Sequence, residues 1–266
     1  MARNVIIGQY IQRSSFFHRL DPRTKILSIF MFAITILLTE DLMSYLAATC
    51  IVVLCVCLTN IPIRVFINIL KPILVILLFT LFFHLLFSKG EHVLLSVGMV
   101  NITMEGIKEG IKVVYRIILM VIIASLLTLT TKPLDITYGL ERLFKPLSIF
   151  KVPVEQFSLM ISITLRFIPT IVEEADKIME AQRARGAQMN NKGLIEKFSS
   201  YIPIIIPLLV SSVQRAERLS LAIDARGYGN GKDRTKYRQL IFRKNDYGTL
   251  ITSISFFLFL LVLKVF

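Results

Sequence analysis

Long stretches of this chain contain no charged residue, and this feature limits its folding more than any other. They include five that we interpret as spans, at residues 26–39, 42–63, 72–88, 117–131 and 247–263. A helix that crosses a bilayer needs about 20 mostly apolar residues, within a range of about 17 to 25. Only 18% of the 266 residues are charged, against about 25% in soluble domains. The sequence therefore predicts an all-α, polytopic membrane protein with about five transmembrane helices.

Two of the five stretches are shorter than 17 residues, and their flanking residues indicate how they lengthen. The first stretch ends at Glu40 and Asp41, which we place in an outer turn at the level of the lipid headgroups. The fourth extends backwards through residues 113–115, and the long side chain of Arg116 is expected to reach toward the membrane surface.

The basic residues predict the orientation of the chain in the membrane. The net charge is +13, and five Lys and Arg residues lie in residues 1–25, two in 60–71 and 19 in 132–246. Cytoplasmic loops carry an excess of Lys and Arg, so these regions and the N-terminus are expected on the cytoplasmic side of the membrane. Membrane topology and anionic headgroups explain the basic excess, and no nucleic-acid partner is expected.

The pattern of runs and charges predicts four parts. Residues 1–25 form a cytoplasmic segment. Residues 26–131 form a four-helix membrane portion with an outer segment at 88–112, in which 94–102 suggests a short hairpin. Residues 132–246 lie on the cytoplasmic side, and 247–266 form the last transmembrane helix.

Prolines divide the cytoplasmic part into three predicted helices, at about 134–145, 154–185 and 198–226. The last two have an apolar first half and a charged second half. The run 198–214 is long enough to suggest a span, but Pro203 and Pro207 interrupt it. We expect both apolar halves to lie against the membrane helices and both charged halves to project into the cytoplasm.

A six-residue motif, A-x-x-A-R-G, occurs at the end of each of these two helices. The copies cover residues 181–186 and 222–227. Gly186 and Gly227 stand where a helix C-terminus favours a left-handed residue, which puts Arg185 and Arg226 in the last turn. An Arg side chain presents five donors to a carboxylate or to backbone carbonyls. The pattern predicts two rigid helix tips that bind similar partners; the alternative is two ordinary helix ends with solvated arginines.

The sequence resembles the transmembrane T component of energy-coupling factor (ECF) transporters, a class of ATP-binding-cassette importers. The resemblance rests on the paired Ala-Arg-Gly motifs and on the N-terminal stretch 18–25, which reads HRLDPRTK before the first apolar run. It implies two soluble ATPase subunits, which would hold ATP and Mg, and a separate membrane S component that captures a vitamin or a metal ion. It implies no cofactor in this chain itself.

The resemblance also implies which residues make the contacts. The two coupling helices would dock into the ATPases through Ala184, Arg185, Gly186, Ala225, Arg226 and Gly227. Apolar residues of the same helices would contact the S component, and the tentative candidates are Phe157, Met160, Ile161, Leu165, Ile204 and Leu208. A vitamin is the expected substrate, although cobalt and nickel transporters share the motif.

Other classes of function have less support in the sequence. A self-contained secondary transporter or channel would require polar groups within the spans, and almost no acidic residue lies there. No P-loop motif is present, and His18, His84 and His92 form no i, i+4 pair. We therefore expect neither an enzyme nor a metal site. Cys50, Cys55 and Cys57 share one apolar run and are interpreted as packing residues.

Overall fold

The computed structural model describes residues 10–88, 92–97, 100–186, 193–228 and 240–265. It divides into two compact units. The first, the membrane unit, contains Gly8–Val152 and Leu240–Phe266, and the second, the long-helix unit, contains Pro153–Gln239. The two units are defined by contacts between residues, whereas the four predicted parts were defined by their location relative to the membrane. The two divisions therefore differ, and the predicted parts stay a prediction.

The membrane unit consists almost entirely of helices. They are α1 (Phe16–Arg19), α2 (Pro22–Leu38), α3 (Leu42–Thr59), α4 (Ile63–Leu70), α5 (Leu74–Phe87), α6 (Met104–Thr130), α7 (Pro133–Phe144) and α10 (Lys244–Val265). Short 3-10 turns follow α4 and α7, at Lys71–Ile73 and Lys145–Phe150. Strands β1 (Val93–Val97) and β2 (Val100–Thr103) pair antiparallel, which confirms the hairpin predicted in the outer segment.

Within the described residues, four helices are long and apolar enough to cross a membrane: Leu42–Thr59, Ile63–Phe87, Met104–Thr130 and Lys244–Val262. They confirm the all-α polytopic fold class. Helix α2, at the first predicted span, has 17 residues, which is the lower limit of about 17 for a crossing. Its role as the fifth span stays a prediction. Apolar side chains cover the outer face of α5, where Val75, Phe79 and Phe82 are exposed, as lipid contact requires.

Helix α6 begins at Met104, 13 residues before the apolar run that predicted it. The Thr103 side chain accepts a hydrogen bond from the Gly106 amide at 3.2 Å and caps the helix. Helix α6 then packs closely on α5, since a Cβ at Gly106 would lie 3.0 Å from the carbonyl oxygen of His84. Residues 104–112 of the expected outer segment 88–112 are thus helical and belong to α6, and the location of the segment outside the membrane stays a prediction.

The apolar core lies where α2, α3 and α6 meet. It is formed by Ile36, Tyr45, Ala48, Val52, Leu119 and Ile123. Arg116 lies beside this core, and its reach toward the membrane surface stays a prediction. Its Nη2 donates to the Thr39 carbonyl at 2.7 Å, and its Nε donates to the Tyr45 hydroxyl at 3.2 Å. The guanidinium thus satisfies a carbonyl at the C-terminus of α2, which lipid cannot do.

The long-helix unit contains α8 (Val154–Ala184) and α9 (Leu194–Ala225). Together with α7, they confirm the three helices predicted after residue 132. Each contains proline, at Pro169 in α8 and at Pro203 and Pro207 in α9. Residue 207 has no N–H, so the carbonyl of Pro203 lacks its usual partner in the helix. Gln182 Nε2 of α8 donates to this carbonyl at 3.4 Å.

Helices α8 and α9 run antiparallel. Gln182 contacts Pro203, and Glu174 forms an ion pair with Arg215, so positions later in α8 face positions earlier in α9. The short connection between the helices favours this arrangement. The expectation that both charged halves project into the cytoplasm stays a prediction. Each charged half lies beside the other helix, and the two motifs stand at opposite ends of the pair.

Candidate functional site

The first Ala-Arg-Gly motif ends helix α8. Arg185 is the C-cap, and its N–H donates to the Ala181 carbonyl at 3.1 Å. Gly186 follows with φ of +85°, and its N–H donates to the Arg183 carbonyl at 3.0 Å. Apart from its neighbours in sequence, no heavy atom of the described residues lies within 4 Å of a Cβ built on Gly186. The glycine is therefore explained by the backbone conformation.

The second motif gives α9 the same ending. Arg226 is the C-cap, and Gly227 has φ of +68°. The Gly227 N–H donates to the backbone carbonyl of Asp224 at 2.8 Å, and the Tyr228 N–H donates to the backbone carbonyl of Ile223 at 3.2 Å. These two bonds form a complete Schellman motif, which satisfies the last carbonyls of the helix. The predicted left-handed position is confirmed at both glycines.

Both motif arginines are exposed, as are the alanines and glycines beside them. The ion pairs found among the described residues are Arg23–Asp21 and Arg215–Glu174, and neither includes Arg185 or Arg226. Each tip therefore presents a guanidinium with small residues on both sides. An arginine in this setting can donate several hydrogen bonds to an acidic or carbonyl-rich groove.

The six apolar residues predicted to contact the S component differ in exposure. Phe157, Met160 and Ile161 are exposed, Leu165 and Leu208 are half-buried, and Ile204 is 6% exposed. The structure also exposes a row on α9 that the sequence prediction omitted: Ile202, Ile205, Ile206, Leu209 and Val213. Helical spacing from Ile202 could have indicated this row. The contact residues themselves stay a prediction.

The N-terminal motif has a different structural role: it connects distant parts of the membrane unit. Asp21 caps α2 and holds Arg23 in a two-point ion pair, Nε–Oδ1 and Nη2–Oδ2, both 3.1 Å. Arg23 Nη2 also donates to the Leu240 carbonyl at 2.9 Å and stacks on Phe242, 4.0 Å from the ring centre. Asp246, 1% exposed, accepts the Asp21 amide at 2.8 Å. We call Asp21, Arg23, Lys25 and Asp246 the polar cluster.

Lys25 completes the polar cluster just before the first apolar run. Its Nζ donates to the Thr130 carbonyl and to Thr131 Oγ1, both at 3.1 Å. Burial lowers the pKa of Lys25 from 10.5 to about 8, and the carboxylates of Asp135, Asp246 and Asp21 oppose this change. The cluster thereby joins the start of α2, the end of α6 and the start of α10.

His18 fixes the chain just before the polar cluster. Its Nε2 lies 2.9 Å from the Ile11 carbonyl, which can only accept, so Nε2 carries the proton. Nδ1 then accepts from the Ser15 hydroxyl at 2.7 Å. Burial lowers the pKa of His18, and the nearby charge of Lys25 lowers it further, while the Ile11 hydrogen bond opposes them. His18 therefore acts as a structural hydrogen-bonding residue.

The fold and the two helix tips define a class of protein: a helical membrane protein with two long helices that end in the same exposed motif. The family model described as cobalt transport protein (CbiQ) matches residues 13–237. The chain is 40% identical to the "energy-coupling factor transporter transmembrane protein EcfT" of Bacillus subtilis over 254 residues, 96% of both chains. It is 40% identical to the protein of that name from Lactococcus lactis, over 98% of both chains.

A third relative of the same name, from Ruminiclostridium cellulolyticum, is 42% identical over 255 residues, which cover 96% of this chain and 94% of the relative. The chain belongs to the family of transmembrane components of energy-coupling factor transporters. It is accordingly a membrane protein of a transport complex that includes partner components.

Proposed function

We propose that this chain couples ATP hydrolysis by two ATP-binding-cassette subunits to import through a substrate-binding S component. The ATPases hold ATP and Mg, and this chain holds no cofactor of its own. The observation that carries the proposal is the repeated tip: two long helices end in the same exposed arginine, fixed by the same left-handed glycine. Two similar tips fit two similar ATPases.

The chemistry of the tips supports docking into grooves. Arg185 and Arg226 are C-caps, so their backbone is fixed by helix hydrogen bonds before any partner binds. Pre-ordering of this kind lowers the entropy lost on binding. Small flanking residues, Ala184 and Ala225, leave space for a groove wall. Each arginine would then serve as a charge-assisted anchor.

Orientation follows from the same proposal. The protein lies in the plasma membrane of a prokaryote. The ATPases work on the cytoplasmic side of this membrane, so α8, α9 and the N-terminus lie on that side. The distribution of Lys and Arg supports this orientation. The exposed apolar residues Phe157, Met160 and Ile161 of α8, and the exposed row on α9, provide an apolar surface for the S component.

The test is ATP-driven uptake by the assembled complex with Arg185→Ala/Arg226→Ala. Truncating one partner of a buried charge pair costs about 2 to 5 kcal/mol, so we expect a loss of uptake of more than about tenfold and weaker retention of the ATPases. The matched control is Lys177→Ala/Arg218→Ala, which removes two exposed bases at equivalent positions of the same helices. Normal uptake by the arginine variant in an intact complex would refute the assigned role.

The substrate class is proposed to be a vitamin and not a metal ion. The full-length relatives carry the general transporter name, whereas the family description mentions cobalt. Identification of the co-purified S components, with uptake of labelled vitamins beside Co²⁺ and Ni²⁺, separates the two classes. Uptake of the ions alone would overturn the vitamin assignment.

A further inference from the structure

The repeat at the helix tips extends further back along α8 and α9 than the six-residue motif. Residues 175–177 read Ala-Asp-Lys, and residues 216–218, 41 positions later, read Ala-Glu-Arg. Each position in these triplets keeps its chemical type: small, acidic, basic. The next position back is different, because Glu174 stands opposite in charge to its counterpart Arg215. The repeat therefore has opposite charges at this position, as it also has at Arg183 and Asp224 within the motifs.

Glu174 and Arg215 contact each other. Arg215 Nη2 donates to Glu174 Oε2, and the Arg215 guanidinium also lies 5.9 Å from the ring centre of Phe167 in α8. The separation of the two residues in sequence is 41, the same as the spacing of the repeat. The ion pair therefore joins equivalent positions of the two helices. In an antiparallel pair this contact marks the local two-fold axis that relates one helix to the other.

A residue on a two-fold axis meets its own equivalent. If the repeat had kept one charge there, two glutamates or two arginines would repel each other at the crossing. Opposite charges remove the repulsion and create an attraction. Opposite charges at this position therefore suit a contact that lies on the axis.

We propose that Glu174 and Arg215 are positioning residues that fix the crossing point of α8 and α9 midway between the two motif arginines. This inference rests on the proposed coupling function. Arg185 follows Glu174 by 11 residues, and Arg226 follows Arg215 by 11. At 1.5 Å per residue, each tip lies about 16 Å from the crossing and the tips about 33 Å apart along the pair. The ion pair thus gives the two helices arms of equal length, measured from the crossing to each tip, for two similar ATPases.

Sliding of one helix along the other is the motion that the pair prevents. Both side chains are about a quarter exposed, at 28% and 26%, and exposed ion pairs add little to global stability. The expected effect is therefore on geometry and coupling and not on whether the chain folds.

The experiment uses charge reversal in the complex purified through the tagged chain. Glu174→Arg and Arg215→Glu each place like charges at the crossing, and the double exchange Glu174→Arg/Arg215→Glu restores the attraction. The milder Glu174→Gln removes the attraction without adding repulsion. Spin labels on cysteines introduced at Ala181 and Ala222, equivalent exposed positions, report the distance between the arms after Cys50, Cys55 and Cys57 are replaced.

We expect one narrow distance of about 20 to 25 Å in the parent. Each single reversal should broaden it and lower uptake per ATP hydrolysed by about tenfold, within the range for contacting pairs. The double exchange should restore both values, and Glu174→Gln should have a smaller effect. A double exchange as defective as the single reversals, or reversals that change neither distance nor uptake, overturns the inference.

The two proposals fail in different ways. If Arg185→Ala/Arg226→Ala abolishes coupling while the reversals change nothing, the proposed function stands and the positioning role is wrong. If the reversals broaden the distance and the double exchange restores it, while the arginine variant transports normally, the crossing geometry stands and the docking role is wrong.

Discussion

Arg23 in the polar cluster and Arg226 at the tip of α9 carry the same side chain in opposite surroundings. The Arg23 side chain is 14% exposed and binds Asp21, the Leu240 carbonyl and the ring of Phe242. Arg226 is exposed at the end of a helix. Both lie in motifs that carry the family resemblance. The comparison teaches that the N-terminal motif uses its arginine for contacts within the chain, whereas the motif at the tip of α9 leaves its arginine exposed.

The largest expected effect is on the polar cluster. Asp246→Ala removes the acceptor for the amides of Asp21 and Arg243, which lie 2.8 and 2.7 Å from its carboxylate. The Asp21 amide is buried, and a buried donor left unsatisfied costs about 1 to 3 kcal/mol, so the variant should destabilise the membrane unit by at least this amount. The fraction of protein that stays monodisperse on size-exclusion chromatography after heating measures this loss.

The comparison requires the opposite result at the tips. Arg185→Ala/Arg226→Ala should leave that heat resistance unchanged, because neither arginine takes part in the ion pairs found in the described structure. If the tip variant were as heat-sensitive as Asp246→Ala, the distinction between an internal and an external motif would be wrong.

A smaller effect is expected from the glycine that ends α9. Gly227→Ala places a Cβ at φ of +68°, where space is open but the left-handed conformation costs about 1 to 2 kcal/mol. The cap should fray, and ATP-driven uptake should fall severalfold with little loss of heat resistance. Gly227→Asn is the matched control, since Asn tolerates this conformation better. Equal uptake by the two variants would show that the cap does not position Arg226.

The smallest effect is a dependence on pH. The pKa of Lys25 is about 8 in the folded protein and 10.5 in the unfolded chain, where the contacts are absent. Below pH 8 both states are protonated, and the folded state bears the cost of the buried charge. Between pH 8 and about 10.5 only the folded Lys25 loses its proton, so stability rises with pH. Between pH 7.5 and 9.5, the heat resistance of the wild type should therefore rise relative to that of Lys25→Met. Parallel pH profiles of heat resistance for the two proteins would contradict this.

The sequence was sufficient for features with a local cause. A glycine after a charged helical segment predicts a left-handed cap, and both caps are present. The apolar runs predicted the spans for a similar reason, because bilayer thickness sets their length. Four helices of sufficient length and hydropathy, described in the structure, agree with them.

Features that depend on distant residues could not be predicted in this way. Asp21 meets Asp246 across 225 positions, and no pattern in either segment indicates the other. Arg116 binds Tyr45 and Thr39, which lie 71 and 77 positions away in the sequence. The antiparallel pairing of α8 and α9 likewise comes from side-chain contacts that neither helix reveals alone. Pairing therefore had to come from the three-dimensional structure.

The positions of the prolines determine where the long helices are stiff. Pro169 precedes Glu174, and Pro203 and Pro207 precede Arg215, so no proline lies between the ion pair and either tip. An α-helix without proline resists bending, whereas each internal proline removes a hydrogen bond and favours a kink. Bending of α8 and α9 is thus concentrated in their apolar halves. A force applied at either motif arginine is therefore transmitted along a stiff, proline-free segment of helix before it reaches a proline.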